Sequence, residues 1–80
     1  MSAARAYEEF IDFIASGPRS DAVAAFKPSA ATKRRVADLI RREKTASLSP
    51  EEIAELNHYI EIEHIMRLAK ARARQRLNDA

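Results

Sequence analysis

Apolar residues recur at three- and four-residue steps through most of the chain, separated by short polar or helix-breaking stretches. Tyr7, Phe10, Ile11 and Ile14, with Phe13 widening the stripe, predict a helix from about Ala3 to Ser16. Gly17-Pro18 ends it, because glycine accepts a left-handed C-terminal cap and proline cannot continue the ladder. A short piece carrying Val23 and Phe26 begins at Ser20-Asp21 and closes at Pro28. Ser29 is placed to cap a third helix from about Ala30 to Lys44, with Val36, Leu39 and Ile40 as a narrow apolar edge. Leu48-Ser49-Pro50-Glu51-Glu52-Ile53 then combines a cap, a proline at the first helical position and a glutamate three residues after the cap. Nothing breaks the helix that follows until about Leu77. No alternating strand pattern competes. The expected fold is all-α, with two or three short helices packed on the N-terminal half of one long C-terminal helix.

That last helix changes character midway. Its apolar residues Ile53, Leu56 and Ile60 lie on one side of a helical wheel. Ile62, Ile65, Met66, Ala69 and Ala73 centre elsewhere. Its charges separate too: Glu51, Glu52, Glu55, Glu61 and Glu63 precede His64, and Arg67, Lys70, Arg72, Arg74 and Arg76 follow it. Helix-dipole complementarity favours this order but acts within one terminal turn, so it does not reach Arg67 and Lys70. The expected division is a helical core over residues 1–64 and a basic extension over 65–80, continuous with the last core helix. On that division, Met66, Ala69, Ala73 and Leu77 form an open apolar strip flanked by Arg67, Lys70, Arg72, Arg74 and Arg76. An apolar strip edged by bases suits docking in the groove of a partner protein. The third helix offers a second basic surface in Lys33, Arg34, Arg35, Arg41 and Arg42, which would serve a small nucleic-acid-binding regulator. Antiparallel pairing of two long helices would set acids against bases, so a homodimer is expected.

Composition narrows the chemistry. The 80 residues carry 14 Lys and Arg against 12 Asp and Glu, a formal charge of +2, modest for a nucleic-acid binder. One glycine and no cysteine exclude disulfide scaffolds, thiolate zinc sites and glycine-rich phosphate loops. No apolar run approaches a membrane span and no signal peptide is visible, so a cytoplasmic protein that does not act at a membrane is expected. Glu61 and His64 have the E-x-x-H spacing of di-iron bundles, but those sites draw carboxylates from further helices and this chain has no matching set. His58 and His64 stand about 120° apart on one helix and cannot share a metal there. Ser20, Ser29 and Ser49 read as caps rather than nucleophiles. No enzyme, cofactor or metal is expected.

Phe26-Lys27-Pro28-Ser29, Arg35-Val36, Leu39-Ile40-Arg41-Arg42-Glu43-Lys44, Leu48-Ser49-Pro50-Glu51-Glu52, Glu55-Leu56, Tyr59, Glu63-His64 and Met66 through Ala73 resemble a group of short bacterial proteins. These are uncharacterised helical proteins, common in cyanobacteria and often encoded beside a small nuclease-like gene. The resemblance runs from about Tyr7 to Leu77. It implies an antitoxin-like role in a toxin–antitoxin pair, with a toxin or nuclease as the partner protein, and it brings no catalytic residues.

Overall fold

The computed structural model describes residues 5–79. Four helices follow one another: α1 (Glu8–Ala15), α2 (Ser20–Ala25), α3 (Ala30–Glu43) and α4 (Pro50–Asn78). No strand occurs among the described residues. The all-α fold is as expected, with three shorter helices on one long last one. The early start of the first helix, near Ala3, lies outside the described residues.

The local signals act as their chemistry requires. Gly17 takes φ +68° just beyond α1, where a Cβ would be strained. Ser29 Oγ accepts the Thr32 amide at 3.2 Å. Ser49 and Glu52 close a capping box, the Ser49 amide donating to Glu52 Oε1 at 3.0 Å and the Glu52 amide to Ser49 Oγ at 3.2 Å. Ser20 is the exception: Arg19 holds the cap position of α2 and Ser20 is its first helical residue, with no side-chain cap bond.

The core is thin. Its buried apolar residues are Ala6, Phe10, Leu39, Leu56, Tyr59, Met66 and Ala73. Phe10 binds it together, with its ring centroid 5.3 Å from Tyr59 and 5.4 Å from Phe26, and Phe26 stacks on Phe13 at 4.3 Å. On α4, Tyr59, Met66 and Ala73 are seven residues apart, a spacing that keeps one straight seam on one side of the helix. The helix does not divide at residue 64. After Gly17-Pro18 the chain turns back, and α2 packs along α4 more extensively than α3 does. Lys70 Nζ donates to the Phe26 carbonyl at 2.9 Å, fixing the end of α2 beside the second half of α4.

Candidate functional site

The strip expected to be open is mostly closed. Met66 and Ala73 are each 4% exposed, Ala69 and Lys70 are half-buried, and Met66 shares a cluster with Ala6, Phe10 and Tyr59. A boundary between residues 1–64 and 65–80 therefore has no counterpart in the packing. Ile53 and Ile60, expected inside, face outward instead. Both corrections share one cause. A single seam through Leu56, Tyr59, Met66 and Ala73 serves the whole fold, and Ile53 and Ile60 are rotated away from it by roughly 100° or more relative to Tyr59.

The charged part of the predicted surface remains outside. Arg67, Arg72, Arg74, Arg76 and Leu77 are exposed. Arg67 pairs with Glu63 one turn earlier. Arg72, Arg74 and Arg76 make no ion pair among the described residues.

The basic face of α3 is different, because much of it is turned inward as a clamp. Arg35 grips Glu55 with two parallel bonds, Nε to Oε2 at 3.0 Å and Nη2 to Oε1 at 2.8 Å. Glu55 is only 5% exposed, and its Oε2 also accepts the Ala6 amide at 2.8 Å. Three elements thus meet on one carboxylate. Arg42 grips Glu52 in the same way, at 3.2 and 2.5 Å, and adds Asp38 at 3.0 Å. Arg41 also pairs with Asp38. Of the five cations offered to phosphates, Arg35 and Arg42 are half-buried structural ties, Arg41 is paired, and Lys33 and Arg34 alone stand exposed without an ion pair among the described residues.

These bonds move the acids' protonation. Arg42, with help from the Ser49 amide, holds the Glu52 carboxyl down to about 2. The Arg35 hydrogen bonds lower that of Glu55, against the opposing effect of burial. A carboxylate depressed in the folded state contributes stability that is complete above its unfolded value near 4.5 and disappears as pH falls toward about 2. The urea midpoint is expected to drop across that window, and Glu52→Gln to flatten the drop. An equally steep drop in the variant would show that the Arg42–Glu52 tie contributes nothing.

Other concavities are shallow. A cleft of about 230 Å³ is lined by Phe10, Phe26, Pro28, Glu63, Met66 and Lys70, with Arg67 at its rim. Another, of about 500 Å³, lies between the start of α1 and α3, among Glu8, Glu9, Asp12 and Arg35. Among the described residues no three His, Asp or Glu side chains gather in a metal-holding group, so His58, Glu61 and His64 do not converge. Tyr7 instead meets the His58 ring edge-on at 5.4 Å. No described helix is long and apolar enough to cross a membrane.

Sequence reasoning missed the Glu55 clamp and the outward face of α4. The first had a signal: Glu52, Glu55, Leu56 and Tyr59 recur at helical spacing, as do Arg35, Leu39 and Arg42. Compared with known proteins, the chain matches no family model, no curated protein and no solved structure.

Proposed function

We propose that this is a non-enzymatic partner-binding protein of antitoxin type, which docks the basic end of α4 on a partner protein, such as a nuclease-like toxin, and occludes it. The observation that carries this reading is that Arg72, Arg74 and Arg76 are exposed and without ion pairs among the described residues, Arg72 and Arg76 on one side of α4 and Arg74 on the other. Three guanidiniums within two turns suit an acidic protein surface, because each offers a planar fork for a carboxylate. Leu77 supplies apolar contact there in place of Met66, Ala69 and Ala73. Such surface charges mainly steer encounter and fix orientation. A homodimer, acting in the cytoplasm, belongs to the same reading.

Co-expression with the product of the adjacent gene tests it. The wild-type chain is expected to co-purify with that product, with capture weakening as salt rises. Reversing the three arginines to glutamate is expected to weaken capture by roughly tenfold to a hundredfold while leaving helicity unchanged. Undiminished capture by the variant overturns the reading. The second reading, a nucleic-acid-binding regulator, rests on Lys33 and Arg34 together with the same tail arginines. A mobility shift at low salt that fades steeply with added salt would favour it.

A further inference from the structure

The large apolar residues of highest exposure among the described residues are Ile60 at 55%, Ile65 at 58% and Leu68 at 59%. All three lie within four residues of His64. With Ile53 and Ala71, Ile60 and Leu68 lie on the side of α4 opposite the Tyr59–Met66–Ala73 seam, and Ile65 lies at the edge of that side. Ile53, Asn57, Ile60 and His64 follow one another at steps of four and three, the period of a helix-pairing seam. Charges lie along its borders, Glu51, Glu61, Arg72 and Arg76 without ion pairs among the described residues and Glu63 and Arg67 paired with each other within the helix. Glu51 and Glu61 stand on the same border as Arg72 and Arg76, within about 80° of one another on the wheel. Glu63 and Arg67 stand on the other border, within about 40°.

Apolar contact and charge select the same centre. If two copies of α4 run antiparallel, each border faces its own counterpart. Laying Glu51 against Arg76 of a second copy puts the two-fold axis between residues 63 and 64, and laying Glu61 against Arg72 puts it between residues 66 and 67. Laying Glu63 against Arg67 of a second copy puts it at residue 65. Ile60, Ile65 and Leu68 surround that point. A parallel pairing would instead set acids on acids and bases on bases. We propose that a second copy of this chain covers the outer face of α4, antiparallel, about a two-fold axis beside His64.

The helix supplies the length, since 29 residues span about 43 Å. The inference rests on the homodimeric part of the reading above and not on partner capture. Arg74, on the Glu63 border of the helix, is not used by either pairing.

The chain contains no cysteine, so single cysteines report the arrangement cleanly. Light scattering on the full chain is expected to give a mass twice 9.0 kDa. His64→Cys is expected to form a disulfide-linked dimer on mild oxidation. Gln75→Cys is expected not to, since antiparallel pairing holds those two positions about 30 Å apart. Ile60→Lys with Leu68→Lys is expected to give a monomer of unchanged helicity. A monomeric wild type overturns the proposal and the dimer together. A dimer in which Gln75→Cys cross-links as readily as His64→Cys overturns the antiparallel arrangement alone. None of these variants replaces Arg72, Arg74 or Arg76, so capture of the adjacent gene's product by the monomeric variant reads the partner surface apart from the dimer.

Discussion

Met66→Asp is expected to leave the chain unfolded at room temperature. Removing the side chain alone, as in Met66→Ala, forfeits buried methylenes and opens a cavity, at about 2–5 kcal/mol. A carboxylate in that position must also be dehydrated or protonated, which adds several kcal/mol more. A chain of 80 residues commands about 4–12 kcal/mol in total at typical per-residue stability. Among the described residues seven small and large apolar residues make up the buried core, which places it toward the lower end. Far-UV circular dichroism is the measurement, with Leu77→Ser as its companion. Leu77 is 46% exposed near the end of α4, so its replacement is expected to cost less than about 1 kcal/mol. A cooperative, wild-type-like melt of Met66→Asp would mean that α2 does not close over the second half of α4. By the same packing, a chain cut after His64 loses Met66 and Ala73 and is not expected to fold alone.

Where the sequence speaks through local chemistry it is legible. Gly17-Pro18, Ser29 and the Ser49–Glu52 box fix where helices stop and start, and each acts through atoms within four residues. The length of α4 follows from the absence of any breaker after Pro50. Which side of α4 faces inward is not a local property. Ile53, Leu56 and Ile60 look like the apolar side because isoleucine and leucine outrank tyrosine, methionine and alanine in hydrophobicity. The inner face is set instead by what lies opposite: Phe10 and Phe26 pack with Tyr59 and Met66, and this seam, not the isoleucines, is buried. The charges mislead for a similar reason. Arg35 and Arg42 read as one basic face with Lys33, Arg34 and Arg41, but their carboxylate partners lie 20 and 10 residues away on another helix. The spacing of Arg35, Leu39 and Arg42 marks them as one face of α3, but only the packing against α4 shows which carboxylates they meet.

Arg35→Met is the second large effect, because it strands the Glu55 carboxylate. With the guanidinium gone, a buried charge keeps the Ala6 amide as its one remaining hydrogen bond. Breaking a buried ion pair from one side costs about 3–5 kcal/mol, and the 34% exposure of the Arg35 side chain lowers the expectation to about 2–3 kcal/mol. Adding Glu55→Gln removes the charge yet retains an oxygen for the Ala6 amide, so the double variant is expected to regain about 1–2 kcal/mol. Glu55→Leu does not share that benefit, since it orphans the amide. The pH response provides a separate check. In the wild type Glu55 is held low by Arg35 and contributes stability that is lost on acidification. In Arg35→Met, burial dominates and raises the Glu55 carboxyl above its unfolded value, so its effect on stability reverses sign and improves as pH falls through that region. Urea titrations at a series of pH values read both effects. If Arg35→Met is as stable as the wild type, or the double variant is no better than the single, water reaches Glu55 and the clamp between α3, α4 and the start of α1 does not hold the fold.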